Sequence, residues 1–226
     1  MRALQLVTGL ALTVALVGCS SDDGKKADEP KTPAASSTPS GTPSSSDPAA
    51  KTYSPAQLKG TLLALNDMPE SGFTSFEDDP ADRNYYCDYT PPKKPTEMVG
   101  SQFEKVEGIS IFLVKSAIDQ YATAADAKAN FDKMVSVLQS CTKDTDDDGN
   151  QFSYKAMSGP RLGDESTAIE IRGEIDGVDL VMHQFYTLSG TAMIQTSAAV
   201  GGMQFPNADE ISQLAETVYE RYADLP

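Results

Sequence analysis

Three consecutive segments near the C-terminus, each with the residue pattern of a β-strand, constrain the fold of this chain most strongly. Residues 167–175, 178–188 and 191–200 carry apolar and β-branched side chains at the spacing expected of strands. The dipeptides Asp176-Gly177 and Ser189-Gly190 between them are typical of two-residue hairpin turns. The sequence therefore predicts an antiparallel meander in the C-terminal half of the chain.

The rest of the domain is predicted to add further strands and about three helices. Strands are expected at residues 73–76, 85–89, 102–106, 109–121 and 152–157. Helices are expected from Ser54-Pro55 through Leu65, from Thr123 to Cys141, and from Asn207 onward. Strands in hairpins with helices at the start, middle and end predict a single α+β domain, with the helices packed on a twisted antiparallel sheet.

The N-terminus has the pattern of an export signal. Met1 and Arg2 precede an uncharged, mostly apolar run that is too short to span a bilayer and that ends in Leu16-Val17-Gly18-Cys19. This ending resembles the bacterial lipobox, which predicts a signal peptide over residues 1–18 and lipidation of Cys19. The alternative is an ordinary secretory signal followed by a chance cysteine.

A low-complexity segment separates this signal from the folded part. Residues 20–52 contain Ser, Thr, Pro, Ala, Asp and Lys but no aromatic residue, Leu, Ile, Val or Met. Such a segment cannot bury enough apolar surface to offset its ordering entropy, so we expect a disordered linker over residues 19–52 and a folded domain over residues 53–226. The predicted location is the outer face of the cytoplasmic membrane, with the membrane contacted through the lipid anchor.

The cysteine count indicates the compartment in which the protein folds, and the net charge limits the classes of partner it can bind. Of three cysteines, Cys19 is assigned to lipidation, which leaves Cys87 and Cys141 to form a disulfide in an oxidising compartment. Cys87 is expected in an aromatic strand and Cys141 at the end of the middle helix. The net charge of −15 repels phosphate backbones, so a nucleic-acid partner is not expected.

An acidic run resembles the opening of an EF-hand calcium loop. Asp144, Asp146 and Asp148, followed by Gly149, match the first half of that pattern. The second half fails, because Lys155 occupies the position where a bidentate glutamate is needed. We therefore predict an exposed acidic loop and no metal site, with calcium binding as the weaker alternative.

Candidate ligand-binding residues lie in the predicted meander. Arg172, Gln184 and Gln195 are hypothesised to line one sheet face, with His183 nearby; the alternative is a solvated sheet face. His183 is the only histidine, so a strand histidine with a polar partner is favoured over a metal ligand or a catalytic base. No phosphate-binding fingerprint and no G-x-S-x-G elbow occurs, so neither a cofactor nor a catalytic residue is predicted.

Two stretches of sequence resemble known families. The lipobox, the Thr/Pro/Ser linker and the segment from Leu62 to Pro69 look like actinobacterial envelope lipoproteins. The helix starting Ala124-Ala125-Asp126-Ala127 and ending at a cysteine, followed by Leu162-Gly163-Asp164-Glu165, resembles the PknH-type extracellular sensor domain. That domain occurs on receptor serine/threonine kinases and as free-standing lipoproteins. The resemblance implies an α+β domain with a cleft for an unidentified ligand and no catalysis.

Three functional hypotheses follow from the sequence. The first is a lipid-anchored, non-enzymatic binding or sensor domain for a small molecule or an envelope protein. The second is a structural or accessory protein that docks onto an envelope complex, which a large exposed apolar patch would favour. The third is an envelope hydrolase that uses Asp and Glu, which a facing pair of carboxyl groups with one raised pKa would favour.

Overall fold

The computed structural model describes residues 51–76, 87, 89–146, 148–202 and 208–226. Within them, one eight-stranded antiparallel sheet carries three helices, which confirms the predicted α+β fold class. The strands are β1 Thr74–Phe76, β2 Glu97–Glu107, β3 Ser110–Gln120, β4 Lys143–Thr145, β5 Gln151–Met157, β6 Glu165–Ile175, β7 Val178–Ser189 and β8 Ala192–Gly201. The helices are α1 Pro55–Lys59, α2 Ala124–Ser140 and α3 Ala208–Ala223, with a short 3-10 helix at Leu65–Asp67.

The strand order across the sheet is β1-β2-β3-β8-β7-β6-β5-β4. The predicted meander β6-β7-β8 is present, and β8 also pairs with β3, so the early hairpin and the late meander join at the centre of the sheet. The β6–β7 turn is Asp176-Gly177, with φ of 52° and 79°, the left-handed geometry that such a two-residue turn requires. The β7–β8 turn is Gly190-Thr191, one residue later than predicted, because Ser189 still pairs with Ala192.

The helices cover opposite faces of the sheet. On one side, which we call the α3 face, α1 and α3 pack over alternate strand residues such as Val114, Ile118 and Val200. On the other, the α2 face, α2 packs over a cluster that includes Tyr186 and Met193. Because successive residues of a strand point to opposite sides, each long central strand contributes to both cores.

The first helix is much shorter than predicted. It ends at Lys59 rather than continuing through Leu65, although Ser54 and Gln57 form the capping box at its start. After Gly60 the chain leaves the helical path, and the backbone N–H of Leu63 donates to Oγ of Ser116 in β3. The sheet therefore supplies the hydrogen-bond partner that a longer helix would have supplied.

The disulfide between Cys87 and Cys141 is confirmed. Thr123 caps α2 by accepting a hydrogen bond from the backbone N–H of Asp126, and Cys141 lies at the C-terminal cap of the same helix. Cys87, however, lies in a turn with φ of 57° rather than in the predicted strand, because the bridge brings it to the end of α2 and not into the sheet. Residues 85, 86 and 88 of that predicted strand lie outside the described residues.

The N-terminal predictions concern residues that the structure does not describe. The signal peptide, Cys19 and linker residues 20–50 fall in that range, as does Asn207 at the predicted start of the last helix. In the described part of the chain, no helix is both long enough and apolar enough to cross a membrane.

Candidate functional site

Four polar side chains form a line across the α2 face of the sheet, which we call the polar row. They belong to the adjacent strands β2, β3, β8 and β7 and are directly opposite one another in the strand register: Gln102, Lys115, Ser197 and Gln184. Opposite residues of antiparallel strands project to the same face, and neighbouring strands lie about 4.8 Å apart. The row is therefore about 14 Å long.

The polar row borders the apolar cluster under α2. Gln184 is 3% exposed and Ser197 is 7% exposed, whereas Gln102 and Lys115 are half-buried. Burying an amide or a hydroxyl costs free energy unless its hydrogen bonds are replaced, so such groups are uncommon on the core face of a sheet. Their alignment on four strands is the feature that marks this part of the face as a candidate site.

Side chains beside the row extend its hydrogen-bonding groups. Tyr186 lies opposite Gln195 in the β7–β8 register, and its hydroxyl donates a 2.9 Å hydrogen bond to Oε1 of Gln184. Two of the predicted ligand residues, Gln184 and Gln195, are thus brought together on one face. Amide, hydroxyl and ammonium groups are of the kinds that donate and accept hydrogen bonds to polar molecules.

The other two predicted residues lie on the opposite side of the sheet. Arg172 and His183 belong to the α3 face, because Glu170 pairs with His183 in the β6–β7 register and Arg172 follows Glu170 by two residues. The expectation that Arg172, Gln184 and Gln195 share a face with His183 nearby is therefore wrong. Successive strand residues such as 183 and 184 must project to opposite sides.

On the α3 face, Arg172 and His183 form a charged cluster around Glu170. The Arg172 guanidinium donates two 2.8 Å hydrogen bonds to the Glu170 carboxylate, and His183 Nε2 lies 3.4 Å from Oε2 of Glu170. The hydrogen bonds from Arg172 lower the pKa of Glu170. Burial lowers the pKa of His183, although Glu170 opposes this effect. His183 thus has the polar partner expected of a strand histidine.

The described carboxyl groups with clearly shifted pKa values do not have the properties of a general acid. The pKa is lowered at Asp67 by hydrogen bonds from Arg221, at Asp146 by Asn150 and at Glu170 by Arg172. A catalytic acid of the hydrolase type needs a raised pKa, which holds its proton near neutral pH. These three groups are instead anionic hydrogen-bond acceptors.

The acidic residues Asp144, Asp146 and Asp148 lie partly in an edge strand and partly in the turn that follows it. Asp144 lies in β4, which the sequence did not predict, and its carboxylate accepts hydrogen bonds from the backbone N–H groups of Cys87 and Thr145. Asp146 accepts from the backbone and side-chain nitrogens of Asn150 and from the backbone N–H of Asp148. In the described ranges, no group of three or more metal-ligating side chains converges on one point.

A shallow depression of about 200 Å³ lies at the same edge of the sheet. It is lined by Lys143, Asp144, Thr145, Gln151 and Phe152 from β4 and β5. Its position on the edge strands separates it from the polar row on β2, β3, β8 and β7.

Sequence reasoning missed Gln102, Lys115 and Ser197. The signal was present at Lys115, which interrupts the apolar alternation of a strand that is otherwise built from residues such as Leu113 and Ala117. Recognising the row also requires the β3–β8 register, which pairs Lys115 with Ser197. A pairing between strands so far apart in the chain cannot be inferred from local turn chemistry.

Comparison with known proteins supports this architecture at the level of the fold. The structure superposes on the extracellular domain of PknH from Mycobacterium tuberculosis with a TM-score of 0.59 and 12% sequence identity, covering 78% of this chain and 100% of that domain. The two share a fold. The predicted resemblance to a PknH-type domain is confirmed to that extent. Neither a protein-family model nor a curated protein sequence matches the chain.

Proposed function

We propose that this protein is a non-catalytic binding domain of the cell envelope, sensor-like in architecture and anchored by a lipid on Cys19, which recognises a small polar ligand along the polar row. One observation carries the binding part of the proposal. Four polar side chains align across four adjacent strands, and Gln184 and Ser197 among them are almost fully buried. Polar groups placed beside an apolar surface are one of the features of ligand-binding sites.

The chemistry of the row favours a ligand rich in hydroxyl or carboxylate groups. Glutamine side chains both donate and accept hydrogen bonds, which suits hydroxyl groups, and the positive charge of Lys115 adds to the attraction for an anionic group such as a carboxylate. Such a cation is scarce here, because the chain has 18 basic residues against 33 acidic ones. A sugar acid or a short dicarboxylate fits this combination.

The anchored location rests on different observations. The uncharged N-terminal run ends in the lipobox-like Leu16-Val17-Gly18-Cys19, and residues 20–52 have the composition of a flexible tether. A disulfide between Cys87 and Cys141 agrees with an oxidising compartment. The shared fold with a domain that is extracellular in another protein is consistent with the same side of the membrane.

The binding proposal is tested by ligand-dependent thermal stability. A panel of monosaccharides, uronic acids and short dicarboxylic acids is added to the full chain, and the melting temperature is followed by differential scanning fluorimetry. A ligand at about 100 times its Kd should stabilise the protein by about 2.7 kcal/mol. The shift should disappear in Lys115→Met and in Gln184→Leu.

Matched controls lie on the exposed side of α2. Lys133→Met and Gln139→Leu make the same chemical changes at exposed positions away from the polar row, and both should keep the ligand-induced shift. A shift that persists in Lys115→Met and Gln184→Leu would place the binding site elsewhere. If no compound of the panel raises the melting temperature of the wild-type protein, monosaccharides, uronic acids and short dicarboxylic acids are excluded as ligands.

The anchor is tested separately by metabolic labelling with a radioactive fatty acid in the native host. The wild-type protein should carry the label and stay with the membrane fraction, and Cys19→Ser should carry none. An unlabelled wild-type protein would refute the anchor while leaving the binding site untouched.

A further inference from the structure

An exposed aromatic side chain continues the polar row at the edge of the sheet. Phe76 of β1 lies directly opposite Gln102 in the β1–β2 register, so its side chain projects from the α2 face at the next position of the line. It is 39% exposed, and every other aromatic side chain in the described ranges is buried or half-buried. A single exposed apolar side chain is ordinary by itself. The alignment of this one with four polar side chains is the feature that requires an explanation.

The neighbours of Phe76 on the same face are polar. Thr74, two residues earlier in β1, is opposite Glu104, and Glu104 follows Gln102 by two residues in β2. Gln102 is in turn opposite Lys115 of β3, whose backbone is about 10 Å from that of β1. Thr74 is exposed, and the other three side chains are half-buried, so all four are open to solvent at least in part. This end of the row is therefore more accessible than the end formed by the buried residues of β8 and β7.

This combination of groups matches the surface of a pyranose sugar. A pyranose ring has C–H groups on its faces and hydroxyl groups around its rim. An aromatic side chain offers a large, rigid apolar surface on which a C–H face can pack. An amide donates and accepts hydrogen bonds with the rim hydroxyls, a carboxylate accepts them, and an ammonium attracts a carboxylate carried by the sugar.

We propose that the pyranose ring of a uronic acid packs on Phe76 and that this residue selects cyclic over open-chain ligands. Hydroxyl groups of the sugar then bind Gln102 and Glu104, and the sugar carboxylate lies toward Lys115. Glu104 is diagonal to Lys115 rather than opposite it, because its partner in β3 is Leu113, so the two carboxylates do not have to face each other. The inference rests on the proposed function and narrows its class of ligand to a ring.

The test compares two ligands of equal charge. Methyl glucuronide has a ring that cannot open, and gluconate has no ring. Each is titrated into the full chain by isothermal titration calorimetry, and the wild type should bind methyl glucuronide more tightly. Phe76→Ala should raise the Kd for methyl glucuronide about tenfold, because the packing of the ring is lost, and should leave the Kd for gluconate unchanged.

Matched variants separate aromatic packing from general apolar contact. Phe76→Tyr keeps the aromatic ring and should bind methyl glucuronide like the wild type. Phe76→Leu keeps an apolar side chain without the ring and should bind nearly as weakly as Phe76→Ala. Leu65→Ala removes an exposed apolar side chain from the 3-10 helix and should have no effect. Because Phe76 is exposed, the melting temperatures of these variants should stay close to that of the wild type, which checks that they fold.

The contact itself is measured by saturation-transfer NMR. Irradiation of the aromatic protons of the wild type should saturate the ring C–H protons of methyl glucuronide. The same irradiation of Phe76→Leu should give a much weaker signal at equal occupancy of the site. An equal signal in the two proteins would place the sugar against another aromatic residue and would overturn the inference.

The remaining outcomes distinguish this inference from the proposed function. If methyl glucuronide binds and neither Phe76→Ala nor Phe76→Leu changes its Kd, the role of Phe76 is refuted and the polar row is unaffected. The same holds if gluconate or a short dicarboxylate binds and methyl glucuronide does not. If no sugar, sugar acid or dicarboxylate binds the wild type, the inference fails together with the proposed ligand class.

Discussion

Arg221 of α3 and Asp67 of the 3-10 helix form a two-point ion pair, with Nη1 and Nη2 of the guanidinium 2.8 and 2.7 Å from the two carboxylate oxygens. Nη1 also donates a 3.0 Å hydrogen bond to the carbonyl of Leu62. The Asp67 carboxylate in turn accepts from the backbone N–H of Ala64. The segment that follows α1 is thereby tied to the last helix of the chain.

The same segment is tied to the sheet by two serines. Ser101 Oγ donates to the carbonyl of Leu63, Leu63 N–H donates to Ser116 Oγ, and the two hydroxyls lie 2.8 Å apart. Because the Ser101 proton is used on Leu63, Ser116 must be the donor between the two hydroxyls. The Leu62–Pro69 segment is thus held by α3 on one side and by the sheet on the other. The part of the sequence that resembles envelope lipoproteins therefore has a structural role.

Removing the Arg221 guanidinium should destabilise the domain. Arg221→Ala leaves the Asp67 carboxylate and the Leu62 carbonyl without their shared donor, and we expect a loss of about 1–2 kcal/mol in the free energy of unfolding. Urea denaturation at neutral pH measures it. Arg172→Ala is the control, because the Arg172 side chain is 58% exposed against 37% for Arg221, so its pair with Glu170 should contribute under about 1 kcal/mol. Equal losses in the two variants would contradict this ranking.

The sequence correctly predicts the β6–β7 turn and the cap of α2, because these depend on residues that are close together in the chain. The Asp176-Gly177 turn and the Thr123 cap set the β6–β7 hairpin and the start of α2, and the structure has both. The first helix was predicted too long because its periodic leucines satisfy a helical pattern. Instead, the backbone N–H of Leu63 donates a hydrogen bond to Ser116, which belongs to a strand far away in the sequence. No residue near Leu63 in the sequence indicates that contact.

The candidate site was predictable only in part for the same reason. Gln184 and Gln195 were identified, but Lys115 joins them only through the pairing of β3 with β8. The misplacement of Arg172 and His183 had a simpler cause, since the alternation within β7 already separates residue 183 from residue 184. The alternation of side chains along a single strand can be worked out from the sequence, whereas the order of the strands in the sheet cannot.

Loss of the disulfide should lower stability substantially. Cys87 and Cys141 are separated by 54 residues, and closing a loop of that size should stabilise the fold by about 4 kcal/mol in the chain-entropy description. The double variant Cys87→Ser/Cys141→Ser should unfold at correspondingly lower urea concentration. Adding dithiothreitol should destabilise the wild type and leave the double variant unchanged. Free thiols at both positions in native, unreduced protein would refute the bridge.

Gly163 should be among the least replaceable glycines of the domain. Its φ is 62°, and an added Cβ would collide with the carbonyl oxygen of Leu188 and lie 2.8 Å from Thr187 Cγ2. Gly163→Ala should therefore cost about 3 kcal/mol or more, combining backbone strain with a clash. Gly149→Ala is the control, because Gly149 has φ of 89° but no atom within 4 Å of the added Cβ, and it should cost only about 1 kcal/mol. Similar losses in both would show that the contact with β7 does not matter.

His183 should make the fold less stable in mild acid. Burial lowers its pKa below the ordinary value of 6.5, with Glu170 acting in the opposite direction and Arg172 adding to the decrease. As pH falls below about 6.5, the unfolded chain takes up a proton that the folded chain does not, so the free energy of unfolding decreases until the folded pKa is reached. Urea denaturation between about pH 7 and pH 5 should show this decrease in the wild type and a smaller one in His183→Gln.

The pKa itself can be measured without assignment problems. His183 is the only histidine in the chain, so its imidazole proton resonance is unique in a proton NMR titration. A midpoint below 6.5 is expected because the side chain is buried on the α3 face. A midpoint above 6.5 would mean that the attraction of Glu170 outweighs burial, and the stability of the wild type should then rise rather than fall in the same pH range.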